Sequence, residues 1–359
     1  SFYAAIYENT ILAYTSLPNG HADEAPSNDS IRYQLYGCAA PLAGNYTVGN
    51  TGADFPSISS ALNTLYQCGI NNVVTLDIAP GVYEDLNLYG PIPGANSNNI
   101  VILRSASGHA ADVIIGDRAD YGDALTLENT SYLKFVNLTI GSTTQIMCGV
   151  KVKGTLTDVV FDSCQIKALL GTTRNTSASF YRENASNALI TGLELRNCLL
   201  EGGYYNLYMQ NAGASTSNYG NMKILSCHFK DAYYTGLHSM SSGYIIYTIK
   251  DNYFNNYSGT TSYVGMRFGQ AVSDANIDTC SGNKMYLNAS SGNTGINVGQ
   301  TLNYRGQLAG VYAFIGNNEF IIEGGTSNYG FSYTNMSYIN FVGNSIYING
   351  NGGNAYGFR

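Results

Sequence analysis

The stretch Ile224-Leu225-Ser226-Cys227-His228-Phe229 returns in kind as Ile249-Lys250-Asp251-Asn252-Tyr253-Phe254: an apolar residue, two free positions, Cys or Asn, one free position, an apolar residue. The same frame reads Phe161/Cys164/Ile166, Leu195/Cys198/Leu200, Cys280/Asn283/Met285, Ile315/Asn318/Phe320 and Phe341/Asn344/Ile346, with Leu in the polar slot at Phe135/Leu138/Ile140. Successive slots lie 25 to 35 residues apart. A signature at that interval marks a solenoid, in which each repeat is one coil stacked on the last.

A second mark recurs out of phase with the first. Gly149-Val150-Lys151-Val152 is matched by Asn206-Leu207-Tyr208-Met209, Gly236-Leu237-His238-Ser239, Gly265-Met266-Arg267-Phe268, Gly295-Ile296-Asn297-Val298, Gly330-Phe331-Ser332-Tyr333 and Gly357-Phe358-Arg359. Most copies alternate apolar and polar, the period-two pattern of a strand with one buried face. Each copy but the last precedes a Cys/Asn slot by 14 to 23 residues. One coil therefore holds at least two short strands joined by bends, and nothing after position 100 keeps a helical period for three turns. The reading is all-β, a parallel β-helix.

Composition narrows the function classes. Of 359 residues 44% are hydrophobic but only 11% charged, with 31 Tyr and 41 Gly, which gives a polar, uncharged, β-rich surface. A net charge of −7, from 24 acidic residues against 17 scattered cations, argues against nucleic acid as the expected partner, since phosphate recognition needs clustered Lys and Arg. No apolar run is long enough to span a membrane.

Ahead of the repeats, Phe2-Tyr3-Ala4-Ala5-Ile6-Tyr7 and Ile31-Arg32-Tyr33-Gln34-Leu35-Tyr36 read as two strands around a polar loop. Residues 1–37 are assigned to this N-terminal β segment, the end of a preceding sandwich domain, and residues 38–359 to the β-helix. Phe55-Pro56-Ser57 opens the one convincing helix, near 56–68, with Ile58, Ala61, Leu62 and Leu65 on one face and Gly69 at its end. Such a helix caps the first coil and blocks edge pairing. The chain starts at Ser1 without a leader, as expected of a processed mature form or of a piece of something longer, and it stops just after opening a new coil, so the solenoid is expected to continue beyond Arg359.

Seven cysteines are too few for a disulfide scaffold at this length. Cys164, Cys198 and Cys227 share one slot on three coils and are expected to stack as buried free thiols. Cys38 and Cys68 flank the capping helix and are the candidates for a disulfide of a secreted protein. Dispersed His21, His109, His228 and His238 offer no ligand spacing, so neither a metal nor another cofactor is expected.

The opening Pro41-Leu42-Ala43-Gly44-Asn45-Tyr46-Thr47-Val48-Gly49, then Ala53-Asp54-Phe55-Pro56-Ser57-Ile58, then Leu76-Asp77-Ile78-Ala79-Pro80-Gly81-Val82-Tyr83-Glu84 and Asn99-Ile100-Val101-Ile102, resembles secreted right-handed parallel β-helix domains of the pectin-lyase-like superfamily. The wording is most similar to β-helix modules of large surface proteins of Bacteroidota. The resemblance covers about residues 38 to 359 and implies a right-handed coil and a secreted or cell-surface location.

The same opening occurs in pectin methylesterases, but the QDTLY-like, DFIFG-like and LGRPW-like segments that carry that family's catalytic residues are missing, and Gln270-Ala271-Val272 matches only a fragment of a substrate-binding segment. Asp117, Asp120 and Asp123 with Arg118 form the nearest acidic cluster, in a pattern that reads as a solvated bend rather than a calcium site. No catalytic residue is assigned. The aligned columns instead offer Tyr204, Tyr234 and Tyr263 two residues before the Gly slot, and Lys151, Tyr208, His238 and Arg267 two residues after it, the latter pointing outward by strand parity. Aromatic rings stacked at the strand spacing of about 4.8 Å would meet the apolar faces of sugars; the plainer alternative is that tyrosines simply stabilise a sheet surface.

Asn252, Asn283, Asn318 and Asn344 should form an inward amide ladder. The function expected is a non-catalytic module of a larger surface or secreted protein, a rigid stalk or adhesin whose partners are glycans or other surface ligands and the neighbouring domains of its own chain. A polysaccharide lyase, esterase or glycoside hydrolase and a filament subunit are the alternatives.

Overall fold

The structure is a computed structural model that describes residues 8–14, 30–36, 38, 40–116, 121–183, 189–211, 220–241, 245–269, 276–298, 302–303, 313–333, 336–337 and 339–359. From residue 42 onward it is a parallel β-helix with three strands to a coil. In one coil, Leu193–Arg196 belongs to sheet I, Leu199–Glu201 to sheet II and Tyr205–Asn211 to sheet III; the next supplies Gly220–Leu225, His228–Ala232 and Thr235–Ser241. Among the described residues sheet II has ten parallel strands, from Gly81–Tyr83 to Ser345–Asn349.

The Cys/Asn signature is the corner between sheets I and II. Its apolar residues stack coil on coil, Ile224 on Ile249, Cys280, Ile315 and Phe341 in sheet I, and Phe229 on Phe254, Met285, Phe320 and Ile346 in sheet II. Ring pairs such as Phe229 and Phe254 stack at 4.3 Å. The residue before the slot takes positive φ in coil after coil: Asn137, Ser163, Asn197, Ser226, Asp251, Gly282, Asn317 and Gly343, between 50° and 68°. Short polar side chains and glycine bear that conformation best, which explains why the free position is never bulky or β-branched.

The slot residues form one continuous inward column. Asn252 Nδ2 donates to Asn283 Oδ1 at 2.9 Å, Asn283 to Asn318 at 2.8 Å and Asn318 to Asn344 at 2.8 Å. Each amide also donates to a carbonyl of the preceding coil: Ile224, Ile249, Cys280 and Ile315. Cys164 and Cys198 Sγ play the same part on Phe135 and Phe161, and Cys227 joins the two halves by donating its N–H to Asn252 Oδ1. Every polar group in this buried column has a partner, the condition under which it stabilises rather than costs.

The Gly slot of sheet III also points inward. A Cβ on Gly236 would lie 2.7 Å from Phe254 Cδ1, so at that coil the sheet II core leaves room for glycine alone, whereas Asn206 and Ser179 fill the slot in earlier coils. Because slot residue and follower both face the core, the residues on either side of the pair share the outer face.

The capping helix runs Ile58–Cys68, with Ser57 and Ser60 in a reciprocal capping box, and its Ile58, Ala61, Leu62 and Leu65 join the core of the first coil. Cys38 and Cys68 form a disulfide. Glu8–Tyr14 pairs antiparallel with Ser30–Tyr36. The strand expected at Phe2–Tyr7 lies outside the described residues.

Candidate functional site

Sheets I and II carry matched charges on their outer faces. Arg196 pairs with Asp162 at 2.8 Å, Lys134 with Asp162 at 3.2 Å and Lys230 with Glu201 at 2.6 Å. Sheet III differs in its middle coils. Its outer face carries a second apolar cluster, separate from the core, made of Ala178, Tyr205 and Tyr208 with Tyr181, Tyr204 and Tyr234 packed against them.

Register builds this cluster. Tyr181, Tyr208, His238 and Arg267 stand in one outward column, Ala178, Tyr205, Thr235 and Val264 in the other. Tyr181 stacks on Tyr208 at 5.1 Å, Tyr205 on Tyr208 at 4.7 Å and Tyr204 on Tyr234 at 5.1 Å, while Tyr233 lies 5.8 Å from Tyr204. His238 meets Tyr205 and Tyr208 edge to face at 4.9 and 5.4 Å. Arg267 donates from Nη1 to Tyr234 Oη at 2.7 Å and has no acidic partner among the described residues.

These groups are less accessible than parity alone implies. Tyr208 is 8% exposed and His238 3%. Burial pushes the Tyr208 phenol up to about 12, and burial beside Arg267 pushes His238 down to about 3, so its imidazole is neutral at ordinary pH. Four buried polar atoms in this small region have no hydrogen-bond partner among the described residues: Thr235 Oγ1, His238 Nδ1 and Nε2, and Arg267 Nε. Such atoms cost stability unless something supplies the missing bonds, and a polar ligand is one supplier.

Tyr263 corrects the sequence reading. It belongs to the main core, 1% exposed, and is not on the outer face. Its strand starts at Ser262, ahead of the position at which Thr235–Ser241 starts relative to its slot, so strand alternation turns Tyr263 inward to pair in register with Asn293. Lys151 stands in the outward column next to Tyr181, paired with Asp123 at 3.1 Å. Asp117, Arg118, Asp120 and Gln270-Ala271-Val272 lie outside the described residues. Among those described, no group of three or more His, Cys, Asp or Glu is placed to hold a metal.

Sequence reasoning missed Tyr181, Tyr205 and Thr235. Tyr181 was hidden because Ser179 fills the Gly slot of its coil, yet Ala178-Ser179-Phe180-Tyr181-Arg182 copies the frame of Cys148-Gly149-Val150-Lys151-Val152. Tyr205 was hidden because strict alternation places it opposite Tyr208, whereas the double inward step at Asn206 and Leu207 puts both on the outer face.

No family model matches the chain, and no curated protein matches it in sequence. The crystal structure of PfbA, a surface adhesin of Streptococcus pneumoniae, is similar at a TM-score of 0.40 and 13% identity, with 83% of this chain and 87% of that one covered.

Proposed function

We propose that this chain is an extracellular β-helix module, a rigid stalk or adhesin within a larger surface or secreted protein, and that it holds glycan on the outer face of sheet III. The observation that carries this reading is the aromatic cluster of Tyr181, Tyr204, Tyr205, Tyr208 and Tyr234 outside the core, set against the unpartnered polar atoms of Thr235, His238 and Arg267. The half-buried rings of Tyr181, Tyr204 and Tyr234 offer apolar faces to pyranose rings, and the polar atoms beside them call for hydroxyl groups. The Cys38–Cys68 disulfide suits an oxidising compartment, which supports the extracellular placement. From Tyr181 to Arg267 the two columns hold Ala, Tyr, His, Arg, Thr and Val, and the carboxylate next along them, Asp123, stands two coils before Ala178 and is already paired with Lys151, which favours holding a sugar over cleaving it.

A glycan array probed with the purified chain, with reducing-sugar release measured on the same glycans, tests the reading. Retention without release is the expected result. Release of sugar would replace the module with a carbohydrate-active enzyme, and retention unchanged by Tyr181→Ala and Tyr234→Ala would move the site elsewhere.

A further inference from the structure

A second aromatic anchor stands on the same face. The outward column that begins with Tyr205 continues through Thr235, Val264 and Thr294 to Tyr329 and Tyr356. Tyr329 and Tyr356 lie parallel, 3° between planes and 5.8 Å between centroids. Arg359 donates from Nη1 to Tyr329 Oη at 2.6 Å, with its guanidinium 5.0 Å from the ring centre. This repeats the Arg267 to Tyr234 bond, again with an arginine reaching a tyrosine of the coil before it. Neither arginine is paired with an acid among the described residues.

The floor between the anchors is low. Thr235, Val264 and Thr294 are short side chains, flanked in the companion column by His238, Arg267, Asn297 and Ser332. Tyr205 and Tyr329 are four coils apart, roughly 19 Å at the strand spacing. A ligand bound at only one end would leave the other aromatic pair bare, and Tyr356 is 44% exposed.

We infer that the two anchors are the ends of one site, which takes a linear polysaccharide lying along the coil axis. A polymer of rigid rings repeats its contacts at each step, as this face does at each coil, with hydroxyl and amide side chains beside a shallow floor. The inference rests on the glycan reading above and adds to it a direction, a minimum length and the residues Tyr329, Tyr356 and Arg359. A chain of about four or more sugar units is needed to reach both anchors. Engaging the second anchor makes its contacts intramolecular, so affinity rises steeply once the chain is long enough.

The test is an array of linear glycans printed at lengths from disaccharide to octasaccharide, with polyglutamate and polyaspartate spotted beside them. Wild type should bind an octasaccharide at least tenfold tighter than the disaccharide of the same sugar. Tyr356→Ala with Arg359→Ala, both exposed, should erase that gain and bring octasaccharide binding down to the level of the disaccharide on the same variant; Tyr181→Ala should weaken binding at every length. A double variant that holds octasaccharide like wild type, while Tyr181→Ala loses it, would overturn the two-anchor site and leave glycan binding at the first cluster standing. Binding to no printed sugar, or to the acidic polypeptides alone, would overturn both.

Discussion

Asn283 Nδ2 lies 2.8 Å from Asn318 Oδ1, and the same amide's Oδ1 accepts from Asn252 at 2.9 Å, so one side chain closes two coil-to-coil contacts at once. Asn283→Leu removes the oxygen that accepts both the main-chain N–H and one amide hydrogen of Asn252, and leaves these two donors without an acceptor in the core. The expected cost is about 3 kcal/mol, from two buried groups left unpaired. Asn344→Leu should cost less, near 1 kcal/mol, because Asn344 is half-buried and water can replace its bonds. Urea unfolding of the two variants checks the order; equal costs would mean that the ladder does not act as a chain.

Cys38 and Cys68 close a loop across a sequence separation of 30 residues, while Cys148, Cys164, Cys198, Cys227 and Cys280 are free and buried. Thiol counting in denaturant without reductant should therefore find five. Reducing the bridge frees the capping segment and should lower stability by about 3.6 kcal/mol on the loop-entropy estimate. A count of three or one, or an unchanged melting temperature after reduction, would contradict this pairing.

Two buried tyrosines should respond in opposite ways to loss of a hydroxyl. Tyr263 Oη is enclosed without a partner among the described residues, whereas Tyr247 Oη shares a 2.9 Å bond with Ser239 Oγ. Tyr263→Phe should raise stability by about 1 kcal/mol and Tyr247→Phe should lower it by a similar amount. Thermal unfolding of the pair is the check.

His238 links stability to pH. Its imidazole, faced by Tyr205, Tyr208 and Arg267, takes a proton in the folded chain only near pH 3, against an unfolded value of 6.5. Between those values the unfolded chain binds the extra proton, so stability falls as pH drops through that window and is unaffected by this group above it. The slope is about 1.4 kcal/mol per pH unit. His238→Phe should lose about 3 kcal/mol less than wild type between pH 7 and pH 4.5; an identical pH dependence would show that this histidine does not titrate as described.

The coil was legible because its corners are chemically demanding. Only small polar residues or glycine bear the positive φ before each slot, and Cys or Asn fills the slot inward in every coil of the signature but that of Leu138, so Ser226-Cys227 and Asp251-Asn252 announce the bend. The outer face was legible only in part. Tyr208, His238 and Arg267 could be placed outward from parity, but how deeply they sit depends on Tyr181 and Tyr205, which reach them from other strands or across the double inward step. The inward turn of Tyr263 follows from where its strand starts, and the fully buried Arg182 stands in register between the apolar Val152 and Met209. Neither had a local signal.

Burial also decides which substitutions test the site cleanly. Tyr208→Ala and His238→Ala would empty packed space and cost stability along with binding, whereas Tyr181, Tyr204 and Tyr234 are half-buried and can be cut back with the fold intact. The most direct measurement is the dissociation constant of wild type and of Tyr181→Ala/Tyr204→Ala/Tyr234→Ala for the glycan that the array retains best, at matched melting temperatures. Loss of three stacking rings, at about 1 kcal/mol each, predicts a weakening of about a hundredfold or more. Equal constants for the two proteins would contradict a glycan site on the outer face of sheet III.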